Sequence, residues 1–304
     1  MPRLAYPPAR AIPVVDDYHG FPVVDPYRWL EDDHSPETKA WTDAQNALTR
    51  AQLDGSARDA IVARLTELYN YPRVGVPVAR SGRYFFARNS GLQDQPVLFV
   101  QDGLEGEPRV LIDANALSAD GTVALTVTKV NDTATLIVYG LSQRGSDRQR
   151  IGIRDVATAR DLDDRLDWVK FATIAWTPEG DGFYYTRFPE PGTVPPGDEN
   201  YFHSVYFHRL GAPQSRDTLV YHRPDERETV FSVDISDDGR WVVISGSRGA
   251  SDKSEIYLLD REQPDAAPEP LFAGFASAYH YIDQAEGRLY FRTDADAPLG
   301  RIIA

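Results

Sequence analysis

The sequence contains no cysteine. Disulfides, thiolate nucleophiles and cysteine-ligated zinc are therefore excluded, and a reducing compartment is compatible with the composition. Positive charge is also scarce: 32 lysines and arginines stand against 46 aspartates and glutamates, a formal charge of −14. Each surplus carboxylate opposes phosphate neutralisation, so neither nucleic acid nor an anionic membrane is an expected partner. No run approaches the roughly 20 apolar residues of a membrane-spanning helix. The opening stretch, Met1 to Val15, lacks the apolar segment of a secretory signal. A soluble, cytoplasmic protein is expected.

Recognisable chemistry is thin as well. No Gly-Xaa-Ser-Xaa-Gly nucleophile elbow occurs; Gly246-Ser247-Arg248-Gly249 lacks its glycine spacing. Neither standard glycine-rich phosphate loop is present. Histidines stand at 19, 34, 203, 208, 222 and 280. His203 and His208, five apart in a predicted strand, should point to opposite faces, which disfavours a shared metal and suggests satisfied polar side chains. The acidic clusters Glu31-Asp32-Asp33 and Asp161 to Asp167 read as solvated faces and turns. No cofactor, no metal and no catalytic group are expected within the chain.

What is present is enough apolar material to fold: 304 residues, 42% hydrophobic and 26% charged. The texture changes near Pro72, suggesting a segment 1–72 and a second, 73–304. In the first, Ser35 can cap a helix whose first position suits Pro36 and whose positive end suits Glu37. Trp41, Ala44, Leu48 and Ala51 form its apolar stripe, and Gly55 is expected to stop it. Ile61, Leu65 and Leu68 mark a second helix ending at Tyr71-Pro72. Core packing is the ordinary fate of both stripes.

After Pro72 short aromatic and β-branched runs alternate with turns, among them RYFFAR, PVLFV, RVLI, TLIVYG, GFYYT, SVYFH, RWVVIS, EIYLL and RLYFRT. Tight turns precede RYFF, TLIV, GFYY, RWVV and RLYF, with Gly82, Gly180, Gly239 and Gly287 in four and Ala134 in the fifth. They recur about every 50 residues, the period of a four-stranded propeller blade, and each interval holds a second hairpin. The fold expected is mainly β, an incomplete propeller of four to five blades behind a helical segment. The last unit should begin at Gly287 and run out at Ala304. A partial ring leaves unpaired edges, so the rest of the propeller should lie further on.

An ordered set of short motifs carries a family resemblance. Asp17-Tyr18-His19-Gly20 is followed by Val24-Asp25-Pro26-Tyr27-Arg28-Trp29-Leu30-Glu31-Asp32, then Ala44-Gln45-Asn46 and Thr66-Glu67-Leu68-Tyr69. The set continues through Val100-Gln101-Asp102, Asp120-Gly121-Thr122-Val123-Ala124-Leu125, Tyr139-Gly140-Leu141-Ser142, Val169-Lys170-Phe171 and Ser236-Asp237-Asp238-Gly239-Arg240. In this order they resemble the N-terminal portion of the prolyl oligopeptidases. The resemblance implies a serine endopeptidase cutting short peptides after proline, built as a seven-bladed propeller inserted into an α/β-hydrolase domain. The triad would lie beyond residue 304, residues 1–72 would belong to the absent hydrolase part, and the propeller would restrict access by size. Short proline-containing peptides and that hydrolase domain are the implied partners.

The resemblance also implies site residues. Phe171 matches a propeller phenylalanine lining the apolar pocket just beyond the proline site; on the residues alone it would be a blade-core ring. Val230 and Ala250 align with lining positions that are methionine and cysteine in the family, so the pocket differs in shape. The proline- and glycine-rich stretch from Phe188 to Asn200 falls where the family has a mobile loop near the active site, giving gating against an inert surface loop. Two rival readings stay open: an oligopeptidase B-like peptidase of the same architecture, preferring basic residues, and a non-catalytic propeller that binds peptides or proteins.

Overall fold

The computed structural model describes residues 4–33, 35–263 and 266–304. The first three residues, His34, Pro264 and Asp265 lie outside the described residues. The chain divides into two compact units, Met1–Tyr71 and Pro72–Ala304.

The first unit opens with a hairpin of β1 (Val15–Tyr18) and β2 (Phe21–Val24). Its two-residue turn places His19 and Gly20 at φ 58° and 88°, the doubly left-handed geometry that matches strand twist. The Asp17 carboxylate accepts a bond from the Gly20 amide at 2.6 Å. The Asp25-to-Trp29 motif then ties the segment together. Arg28 binds Asp25 at 2.7 Å and also Asp16, while the Trp29 indole donates to the Arg10 carbonyl at 2.7 Å.

Helix α1 (Pro36–Leu53) starts as the capping pattern requires: Ser35 accepts from the Thr38 amide and Pro36 opens the first turn. It ends at Leu53, and Gly55 serves as the N-cap of α2 (Ser56–Tyr69) rather than as the stop of α1. The stripes do not form a core. Trp41 and Leu48 are only half-buried, Ala44 and Ala51 are exposed, and Ile61, Leu65 and Leu68 are 61%, 46% and 50% exposed. The helix period was legible, but among the described residues the α2 stripe stays exposed and the α1 stripe is covered only in part.

The second unit is five consecutive antiparallel sheets, each a propeller blade. The first contains β3 (Arg73–Val74), β4 (Val78–Arg80), β5 (Arg83–Asn89), β6 (Val97–Asp102) and β7 (Arg109–Ile112). Both β3 and β4 pair with β5, as one inner strand interrupted at Pro77. The second is β8 (Val123–Val130), β9 (Leu136–Gln143), β10 (Gln149–Asp155) and β11 (Asp161–Val169). The third is β12 (Ile174–Trp176), β13 (Gly182–Arg187), β14 (Ser204–Arg209) and β15 (Thr218–Tyr221). The fourth is β16 (Thr229–Ile235), β17 (Trp241–Arg248), β18 (Ser254–Asp260) and β19 (Glu269–Phe272). The fifth shows β20 (Tyr279–Ala285), β21 (Arg288–Thr293) and β22 (Arg301–Ile303). It begins at Tyr279, one strand before the expected Gly287, because that glycine turns the first strand into the second.

All five repeat turns join first strand to second. Gly82, Ala134, Gly180, Gly239 and Gly287 have φ of 78°, 54°, 68°, 73° and 72°. Ala134 holds the conformation without glycine because Asn131 secures its turn: its side-chain oxygen accepts from the Thr135 and Leu136 amides at 2.9 and 3.0 Å. The Ala134 methyl is fully buried beside Phe85, Val100 and Ile137.

Apolar side chains close the seams between blades. Ile151, Ile153 and Leu166 meet Trp176, Phe183 and Tyr185 between the second and third blades. Tyr184 and Val205 meet Phe231, Val233 and Ile244 between the third and fourth. A fully buried side chain such as Phe183 contributes about 2–3 kcal/mol through removal of apolar surface from water.

Candidate functional site

First strands of neighbouring blades touch, β8 with β12 and β12 with β16, so they line the inner side of the propeller. The site lies where β12, β16 and β20 begin. Phe171 sits in the β11–β12 connection at φ 50°, and its ring is 61% exposed rather than packed in a blade. Lys170 fixes this connection by donating to Asn200 at 2.7 Å, and the Phe188 amide donates to the Trp168 carbonyl at 3.1 Å. The connection is thus joined to both ends of the long loop that follows β13.

Phe171 and Val230 line one cavity of about 390 Å³. Ala250 does not line it; it is exposed in the turn after β17, while the adjacent Ser251 and Asp252 do contribute. Ser247, from the false nucleophile motif, lies in β17 opposite Val230 and donates weakly to the Val230 carbonyl at 3.4 Å. No base is bonded to it among the described residues, so it has no means of activation.

The Phe188–Asn200 stretch forms an irregular excursion between β13 and β14. Asp198 is held by Arg227 at 3.2 Å, whereas Thr193 and Gly197 bond within the loop, to Glu190 and Glu199. Pro191 borders a separate cleft of about 730 Å³ at the end of the second blade.

Two buried histidines flank this region on opposite faces of the third blade. His203, 1% exposed, packs between Phe188 and Phe231. Its Nδ1 accepts from the Phe231 amide at 2.9 Å, and its Nε2 has no partner. It is therefore not the satisfied side chain expected. Burial alone pulls its pKa down to about 3. His208 is fully buried against the second blade. Its Nδ1 lies 2.7 Å from Asp217 and its Nε2 3.0 Å from Asp164, so both ring nitrogens donate when the imidazole is charged. Burial opposes that charge, but the bonds and attraction of Asp217 and then Asp164 outweigh it, and the pKa is raised.

Asp161 to Asp167 is accordingly no turn; its solvated face holds Asp161, Asp163 and Arg165, but not Asp164. The stretch lies in β11, and its alternation sends Asp164 inward, 8% exposed, where it also accepts from the Gly211 amide at 2.6 Å. Tyr185 completes the network by donating to Asp217 at 2.7 Å. The only signal was the period-two pattern of a strand, and the charge of the segment concealed it.

The family model for the N-terminal β-propeller domain of prolyl oligopeptidase matches residues 6–304. A prolyl endopeptidase of Elizabethkingia meningoseptica is 35% identical over 99% of the chain and 42% of its own length. Prolyl oligopeptidase A of Galerina marginata is 33% identical over 98% of the chain and 45% of its own length. A solved structure from a study of two prolyl endopeptidases and their inter-domain dynamics superposes with a TM-score of 0.87, at 32% identity, over 98% of this chain and 44% of that one. Prolyl oligopeptidase B of Galerina marginata, solved with a 25mer macrocyclization substrate, superposes with a TM-score of 0.80 at 26% identity, over 98% of this chain and 45% of that one. The chain thus spans less than half the length of these relatives. Its sequence, its five blades and its leader place it in one group: the chain belongs to the prolyl oligopeptidase family, as that family's N-terminal propeller portion.

Proposed function

We propose that this chain is the substrate-admitting part of a cytosolic serine endopeptidase that hydrolyses short peptides after proline. In this reading an α/β-hydrolase domain of the same polypeptide supplies nucleophile, base, orienting acid and oxyanion donors. The propeller excludes folded proteins and contributes one wall of the peptide site. Segment 1–72 belongs with the hydrolase part, which would cover the exposed faces of α1 and α2. The observation that carries the proposal is Phe171: an exposed ring on a left-handed residue, at the mouth of a cavity shared with Val230. Ala250 would line the same pocket once the hydrolase surface closes it, and the Phe188–Asn200 loop would gate entry.

The test is turnover by the full-length protein of reporter peptides ending in proline or arginine. Preferential cleavage after proline is expected, and faster cleavage after arginine would overturn the reading. Phe171→Ala should lower kcat/KM about tenfold for peptides carrying an apolar side chain on the amino-terminal side of the proline, the effect of about 1.5 kcal/mol of lost apolar contact. An unchanged value would remove Phe171 from the pocket. Residues 1–304 alone should give no turnover.

A further inference from the structure

The seam between the fourth and fifth blades differs from its neighbours. Its outer part is closed by Val243, Ile256 and Phe291, but its inner part is the cavity that begins at Phe171. Along β16 the residues Val230, Ser232 and Asp234 share one face, because strand side chains alternate. At roughly 3.3 Å per residue, Asp234 lies about 13 Å from Val230 along the strand. The wall therefore passes from apolar through hydroxyl to carboxylate with depth.

The deep end holds polar groups that the fold leaves unpaired. The Tyr281 hydroxyl is buried and has no hydrogen-bond partner. Asp234 has neither a hydrogen bond nor an ion pair among the described residues. Burial raises its pKa, against the opposing attraction of the Lys129 charge. Asp283, Asp237, Asp234 and Asp238 all bear electrostatically on Tyr281, and Asp252 and His280 also line the cavity. The field at the deep end is negative, and both unpaired oxygens can accept from a cation.

We propose that this cavity is a specificity subsite for a protonated nitrogen of the peptide, upstream of the proline. The aliphatic stem would lie along Phe171 and Val230, and the cationic head would reach Asp234 and the Tyr281 hydroxyl. The proposal rests on the peptidase reading above and adds to it a preference for charge that neither Phe171 nor Val230 could impose. The nitrogen can come from a lysine or arginine side chain or from the amino terminus of the peptide.

The test uses the full-length protein and four proline reporter peptides, with lysine or norleucine a few residues upstream and with a free or acetylated amino terminus. Binding is read by fluorescence anisotropy and cleavage by kcat/KM. In the unsubstituted protein one cationic form, lysine over norleucine or free over acetylated, should be favoured about tenfold; which pair shows it identifies the source. In Asp234→Asn that ratio should fall to near unity, and Tyr281→Phe should reduce it. Asp234→Ser carries the same expectation should the asparagine variant fold poorly. Equal binding of all four peptides, or a preference that survives both Asp234 variants, would overturn the subsite. Absence of cleavage after proline, with the charge preference in binding intact, would instead remove the peptidase reading alone.

Discussion

His208→Leu is expected to lower the unfolding free energy by about 3–5 kcal/mol, because it leaves Asp164 and Asp217 buried without the cation between them. Tyr185 and the Gly211 amide still donate to these carboxylates, but neither neutralises a charge. Urea unfolding measures the loss, and a triple variant with Asp164→Asn and Asp217→Asn should recover part of it. Recovery separates unpaired charge from lost packing. A shift below about 1 kcal/mol would mean that water reaches the network.

The same geometry sets a pH dependence whose sign follows from linkage. The folded pKa of His208 is raised, so its contribution is complete below the unfolded value of about 6.5 and is lost as pH rises through the folded value. His203 acts in the opposite sense. Its folded pKa is lowered to about 3, so stability is held above about 6.5 and lost as pH falls toward 3, by on the order of 5 kcal/mol at the acid limit. His203→Gln keeps an acceptor for the Phe231 amide and should flatten the acid limb. His208→Leu should flatten the alkaline one.

A second large effect is expected at Gly239. Its φ of 73° disfavours any side chain, and a Cβ there would overlap Cγ of Pro178 in the turn of the preceding blade. The proline ring cannot rotate away, so Gly239→Ala should cost about 3 kcal/mol, of which the left-handed backbone accounts for about 1. Gly287→Ala is the internal control. It has a φ of 72° and nothing within 4 Å of the added carbon, so only the backbone part, about 1 kcal/mol, should appear. Equal losses at the two sites would show that the Pro178 contact yields.

The repeat was readable because second and third strands such as RYFFAR and EIYLL are packed on both faces and hence rich in aromatic and branched residues. First strands were harder to see. β12 is three residues long, and β16 buries Thr229, Phe231 and Val233 on one face while presenting Val230, Ser232 and Asp234 on the other. Asp164, Asp217 and His208 were hidden for a different reason: they are far apart in the chain, and each alone looks like a surface residue. Phe171 was singled out only through the family resemblance, since its exposure depends on a left-handed backbone that no local motif announces. The α1 and α2 stripes showed helix period correctly, but period does not reveal what covers a face.

The repeat turns also touch one another in succession. Ser81 donates to the Asp132 carbonyl at 2.6 Å, Pro178 abuts Gly239, and Gln284 bonds Asp238 at 2.6 and 2.9 Å. Phe171, Val230 and the Phe188–Asn200 loop lie at the other end of the same strands. The Phe171 end is laced as well, where the Phe231 amide donates to His203 at 2.9 Å, the Tyr279 amide donates to Ser254 at 2.7 Å and Lys253 pairs with Asp294 at 2.7 Å, so spreading neighbouring blades to pass a bulky peptide would break inter-blade bonds at either end.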